Sequence, residues 1–280
     1  MIEADYVGNL SLHLNSSNPI NDPAPGPGAI QLRRPYPTWG NISYFSQDMS
    51  STYHALQVKF EKRVSGGFWY LASYTFSKSF TKQNTPGAGG DYAWEKALST
   101  FDIPHTVAVS VGYELPAGRG KHFLSHANGF VDAVLGGWQI QASVVARSGR
   151  PFTPTISRDI ANTGIGGQRP IRIGSGALAD PTPQAWFDKN AFQVPATNTY
   201  GNSGGSILRE QRFLDADFSV FKQFSVTEHG KLQFRAEFFN LTNTTSFSAP
   251  NTNVDTAAGG VITSDISTPR QIQFALKYNF

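Results

Sequence analysis

Alternation of apolar and polar residues with a period of two runs through this chain, and only a strand turns successive side chains to opposite faces. From 270 to the end, Ile272, Phe274, Leu276, Tyr278 and Phe280 share one face, and Gln271, Gln273, Ala275, Lys277 and Asn279 the other. Within 231–241, Leu232, Phe234, Ala236 and Phe238 oppose Gln233, Arg235 and Glu237. Just upstream, Ala216, Phe218 and Val220 oppose Asp215, Asp217 and Ser219. Trp138, Ile140, Ala142, Val144 and Ala146 alternate with Gln139, Gln141, Ser143 and Arg147, with Val145 as the exception on the polar side. Val107, Val109, Val111, Tyr113 and Leu115 alternate with Ala108, Ser110, Gly112 and Glu114. Segment 68–77 sets Phe68, Tyr70, Ala72, Tyr74 and Phe76 against Ser73, Thr75 and Ser77, and weaker patterns cover 52–64 and 4–14. About eight strands follow, each near the roughly 9–11 residues that a tilted strand needs to cross a bilayer.

One face of such strands suits lipid and the other water. Composition agrees: charged residues make up 15%, against roughly 25% in soluble domains. Aromatics at 13%, with 27 glycines and 17 prolines, favour strands and turns. No apolar run approaches the ~18 residues of a membrane helix, and the opening MIEADYVGNL has neither the basic nor the apolar region of a signal peptide. With no cysteine, a disulfide scaffold, a thiolate metal site and a cysteine nucleophile are all excluded. The 23 basic and 20 acidic residues are interspersed without a basic stripe, so no nucleic-acid partner is expected.

The connections carry as much information. Between strands lie 15–50, 65–67, 79–104, 116–137, 150–213, 225–230 and 242–269, and long and short alternate as they do in outer-membrane barrels. Segment 116–137 breaks the rule: it opens with the turn-like PAGRG and continues as HFLSHANGFVDAVLGG, where a short helix is expected. If the last strand descends to the periplasm, 15–50, 79–104, 150–213 and 242–269 all face outward, and every strand keeps phase. The expected fold over 1–280 is therefore all-β, an antiparallel transmembrane β-barrel segment of about eight strands. A soluble β-sandwich also alternates, but the strand lengths, the aromatic apolar faces, the terminal Phe280 and the long loops argue against it.

A series of motifs reinforces this reading. SYTFSKS at 73–79, FDIPHTVAVSVGYELPAGRGK at 101–121, GGWQIQASVVARSGRPFTP at 136–154 and WFDKNAF at 186–192 come first. YGNSGGSILREQRFLDADFSVFKQFSV at 200–226, RAEFFNLTN at 235–243 and the closing QFALKYNF complete it. In order and spacing the chain resembles the barrel end of Oar-like TonB-dependent transporters. That resemblance implies a barrel of about 22 strands, of which this chain would form roughly the last eight. It also implies an N-terminal plug, often with a small carboxypeptidase-regulatory-like domain ahead of it. Plug, signal peptide and TonB-contacting segment are expected to lie outside these residues. The implied partners are outer-membrane lipid, the barrel assembly machinery, the plug, TonB and an unidentified substrate.

No catalytic constellation is evident, so neither an enzyme nor a bound cofactor is expected. Of the six histidines only His122 and His126 stand four apart, and they lack a nearby acidic third ligand for zinc. Gly164 to Gly167 and the run Gly118, Gly120, Lys121 read as turns rather than phosphate loops. Asp215, Asp217, Arg235 and Glu237 fall on the polar faces of two strands joined by a turn at 227–230, which is expected to bring Arg235 within about one diagonal step of Asp217. They read either as a lumen patch contacting plug or substrate, or as a structural charge ladder in a wet interior. Trp69, Tyr113, Trp138, Tyr278 and Phe280 suit interfacial girdles. Trp94 and Trp186, in outer loops, could stack on a ligand or anchor those loops. Phe280 reads as the assembly signal. The expected function is the barrel portion of an outer-membrane receptor or transporter. The alternatives are a structural or adhesive barrel and a secreted carbohydrate-binding β-sandwich.

Overall fold

A computed structural model describes residues 1–86, 92–226 and 230–280, with backbone alone at 83–86 and 92–94. Six strands precede the longest loop: β1 (Ile2–Pro19), β2 (Ser43–Ser65), β3 (Phe68–Pro86), β4 (Tyr92–Leu98), β5 (His105–Glu114) and β6 (Trp138–Arg147). Four two-residue strands lie within that loop: β7 (Pro151–Phe152), β8 (Ile171–Arg172), β9 (Phe192–Gln193) and β10 (Leu208–Arg209). The chain then returns to the wall as β11 (Phe213–Ser225), β12 (Lys231–Phe239) and β13 (Gln271–Asn279). One antiparallel sheet runs in the order β1-β2-β3-β5-β6-β11-β12-β13, with β4 hairpinned onto β3. Among the described residues β1 pairs only with β2 and β13 only with β12, so these two strands are open edges. No helix of the described residues is long and apolar enough to cross a membrane.

Register makes the alternation of each strand into two continuous faces. Phe274 stands opposite Ala236, which faces Val220, then Ile140, Tyr113 and Phe68 in turn. One residue along, Gln273, Glu237, Ser219, Gln141, Gly112 and Trp69 form the parallel row on the other face. A slip by one residue anywhere would put apolar side chains among polar ones. Irregularities of register occur only outside the middle of the sheet, around Leu14 on β1 and between Lys62 and Ser65 on β2.

All eight expected strands are present, and Trp138–Arg147 has the expected bounds. β2 and β3 run on much further than expected, to 23 and 19 residues. A strand needs only about 9–11 residues to cross a bilayer, so their outer ends project beyond it. There both faces meet water and alternation has no cause, so β4 and the ends of β1, β2 and β3 carry no strand pattern in the sequence.

The buried apolar cluster lies in the long loops, not in the wall. Phe152, Ile156, Phe187, Ala191, Phe192, Leu208 and Val254 pack together, joined by Ile160, Trp186 and Ile207. Phe187 sits at the centre, its ring 5.7 Å from Phe152 and 6.1 Å from Phe192. The 240–270 loop closes over this cluster through Trp186 N–H to Gly260 O at 2.8 Å and Ile262 N–H to Pro183 O at 2.7 Å. Asp255 accepts from Ser157 N–H and from its hydroxyl, both at 2.8 Å, and from Arg158. Burial would raise the Asp255 carboxyl, but these donors together hold it below its ordinary range. Asn162 reaches the first loop, donating to Gly26 O and Gly28 O at 2.8 Å each. The long loops thus form one packed body, which on the orientation expected from the sequence is the outer one.

Two carboxylates, one fully and one partly buried, tie that body to the wall. Asp102 is completely enclosed, accepting from Arg209 at 2.6 Å and from Ser79 N–H at 2.7 Å. Glu95 of β4 accepts from Arg169 at 2.6 Å and from Gly205 N–H at 2.9 Å. At the opposite, short-turn end the helix expected within 116–137 is α1 (Gly129–Leu135), capped by Asn128, whose side chain accepts from Val131 N–H at 2.9 Å.

Candidate functional site

The polar face of the sheet is the candidate site, because every strand of the wall contributes to it in register. Near its middle, Asp217, Arg235, Glu237 and Phe239 line a shallow depression of 220 Å³ with Trp69, Ser110, Gln141, Ser143 and Ser219. Arg235 pairs with Glu237 along its own strand at 3.1 Å, and its guanidinium lies 6.0 Å from the Phe221 ring. The expected diagonal between Arg235 and Asp217 is not formed. The β11–β12 hairpin closes at Ser225 opposite Lys231, which places Phe221, not Ser219 or Asp217, across from Arg235. Matching of the apolar faces, with Phe218 against Phe238, holds that register. Asp217 instead accepts from Asn240 N–H at 3.0 Å. Asp215 lies further out, opposite Val145, and does not line the depression.

Trp69 also departs from expectation. It lies on the polar face, laid over Gly112 so closely that a Cβ there would come within 2.2 Å of its indole nitrogen. Glycine at 112 makes room for the ring, and Trp69 belongs to the polar face rather than to a girdle. Tyr113, Trp138 and Tyr278 do lie on the apolar face at the short-turn end, beside Phe68 and Phe224.

Toward the outer body, Arg147 stacks 4.6 Å over Phe213. With Arg150, Glu210, Gln211 and Phe247 they line a second recess of 220 Å³. Burial pushes the Glu210 carboxyl up, against the opposing pull of Arg150 and Arg147. Alternation places Arg147 on the polar side, but residues 210, 211 and 247 come to it only through the way the loops fold. The same holds for Asn240, buried at the end of β12, where its side chain donates to Thr244 O and Thr268 O and accepts from Thr244 N–H.

Of the two loop tryptophans, Trp186 is an anchor: its indole N–H donates to Arg209 O at 2.7 Å and its ring packs on the apolar cluster. The backbone of Trp94 pairs with Asn84 in the β3–β4 hairpin, and its side chain lies outside the described residues.

The family model for the outer membrane beta barrel domain matches residues 1–273. The chain belongs to this family. The barrel domain resides in the outer membrane, so its apolar face meets lipid and its polar face lines the lumen. Among solved structures it is similar to the outer membrane transporter YddB from Escherichia coli, with a TM-score of 0.44 and 13% identity. That similarity covers 99% of this chain and 30% of the transporter, so the chain spans about a third of that protein's length. A search of curated proteins found no match.

Proposed function

We propose that this barrel domain is the C-terminal part of the wall of a TonB-dependent, Oar-like receptor, which captures a solute at its outer body and admits it through a plugged lumen. The observation that carries this reading is the charged, open polar face. Closing eight strands on themselves leaves an interior just wide enough to be filled by side chains. Here that interior would have to hold Arg147, Asp215, Asp217, Arg235, Glu237 and Lys277 as well as the Trp69 ring. Such a set fits the wall of a wide, hydrated lumen. The unpaired edges of β1 and β13 are intolerable in hydrocarbon, where each bare N–H and C=O goes unsatisfied. Further strands would cover them. On this reading the protein makes and breaks no covalent bond, and the Asp217, Arg235 and Glu237 depression faces plug or solute.

The test is assembly. Fused to a signal peptide, the 280-residue chain is expected to be degraded or aggregated, whereas the full-length protein inserts and cross-links to the periplasmic domain of TonB. Recovery of the short chain as a protease-resistant, heat-modifiable monomer would overturn the wide-lumen reading. Insertion of the full-length protein without a TonB cross-link would favour a structural or adhesive barrel.

The same reading assigns Phe280 to assembly. Phe280 is 98% exposed, its ring stacked on that of Tyr278 at 6.2 Å, at the end of an open edge strand suited to β-augmentation by the assembly machinery. Deleting Phe280 from the full-length protein is expected to lower the inserted, heat-modifiable fraction in outer membranes, and an unchanged fraction would count against this role.

A further inference from the structure

The apolar face of the wall contains a buried cation that breaks its pattern. Lys222 of β11 stands opposite Trp138 and Phe234, in a row where lipid-facing residues belong, yet only 4% of it is exposed. Its ammonium donates to the carbonyls of Ala133 at 2.7 Å and Asp132 at 3.1 Å, at the C-terminal end of α1, and lies over the rings of Phe224 and Trp138 at 5.1 and 5.7 Å. The Trp138 indole N–H donates to Val134 O at 2.8 Å. Asp132 O also accepts from Gly136 N–H at 2.9 Å, while the bonds to Ala133 O and Val134 O reach carbonyls of the last helical turn, where intrahelical donors run out, and together they hold α1 against the lipid side of the wall.

The segment around α1 is a folded foot rather than a slack loop. Phe123 N–H donates to Pro116 O at 2.8 Å and Gly118 N–H to Phe123 O at 2.9 Å. Arg119 N–H donates to the Asp132 carboxylate at 2.6 Å. Gly118, at φ +130°, lets two chain segments meet: a Cβ there would lie 2.9 Å from Gly136 Cα. The foot nevertheless exposes its apolar residues, with Phe130 78% accessible and Phe123, Leu124, Val134 and Leu135 also exposed. Its basic groups Arg119, Lys121, His122 and His126 are exposed as well. Lys121 is paired with Glu114 at 2.9 Å and Asp132 accepts from the Arg119 backbone N–H, so Arg119, His122 and His126 are the basic groups that the foot turns outward apart from these acids.

We propose that residues 116–137 form an interfacial foot that lies in the headgroup region of the inner leaflet, with Phe130 and Val134 turned to the acyl boundary and the basic groups turned to anionic phospholipid. Two arguments select this occupant. The foot is continuous with the lipid-facing belt through Trp138 and Lys222, so lipid already adjoins it. Apolar side chains flanked by basic ones also match the composition of segments that lie in a membrane surface. A helix of seven residues could not hold such a position alone, and the bonds to Lys222 and Trp138 supply what it lacks.

These residues contain no cysteine, so once any cysteine elsewhere in the full-length protein is replaced by serine it can be labelled at single positions. The full-length protein carrying Phe130→Cys, with a nitroxide attached, would be placed in phosphatidylethanolamine vesicles with and without phosphatidylglycerol, and Asp180→Cys in the outer body would serve as the aqueous reference. The ratio of oxygen to nickel-chelate accessibility is expected to be severalfold higher at 130 than at 180, and to rise further with phosphatidylglycerol. Equal ratios at the two positions would overturn the proposal. A high ratio that ignores phosphatidylglycerol would overturn its electrostatic half. Val134→Cys carries the same measurement should the first variant fail to insert.

Discussion

Arginine at position 274 is expected to destabilise the inserted protein by about 2–4 kcal/mol, whereas arginine at 273 should change it by no more than about 0.5 kcal/mol. Phe274 lies mid-strand on β13, its ring 6.4 Å from that of Phe234 in the belt that meets hydrocarbon. A guanidinium there loses its water at the depth where charge is least tolerated. Gln273 points the other way, directly opposite Glu237, where a new cation meets water and a carboxylate already holding Arg235. Urea titrations of the full-length protein folded into lipid would measure both variants. Equal costs at the two positions would mean that the assignment of faces to lipid and lumen is wrong.

Replacing Asp102 with alanine is expected to cost about 3 kcal/mol, felt in the outer body rather than in the spanning sheet. Asp102 is wholly buried and meets both the Arg209 guanidinium and the Ser79 N–H, so its loss leaves a cation and a backbone donor without their acceptor. Arg209 limits the damage, because its side chain is 35% exposed and keeps a bond to Gly149 O at 3.0 Å. Loosening should therefore appear as faster proteolysis within 150–213 on intact cells, with heat-modifiability of the barrel retained. Proteolysis at the wild-type rate would show that the apolar cluster around Phe187 holds the outer body in place without this pair.

The two variants probe different levels of information. Phe274 and Gln273 could be assigned to opposite faces from the sequence because a strand between lipid and water is selected residue by residue, and the period of two survives wherever both media are present. The eight wall strands, their alternating long and short connections and the helix within 116–137 were legible for that reason. The pattern ends where both media become water, so the outer reaches of β2 and β3 and all of β4 could not be read. Asp102 illustrates the second limit: nothing local marks it as buried, and its partner Arg209 comes from a loop more than a hundred residues away.

By itself the sequence determined the fold class, the faces of the strands and the apolar-face positions of Tyr113, Trp138 and Tyr278, because each follows from local alternation against a layered solvent. Tertiary structure decided the rest. It moved Trp69 to the lumen over Gly112, separated Arg235 from Asp217 by the register of a single hairpin, and used Trp186 as an anchor. It also buried Lys222 under the helix at the short-turn end. Each of these depends on distances between residues far apart in the chain, set by register and loop packing, and a pattern of period two carries no information about them.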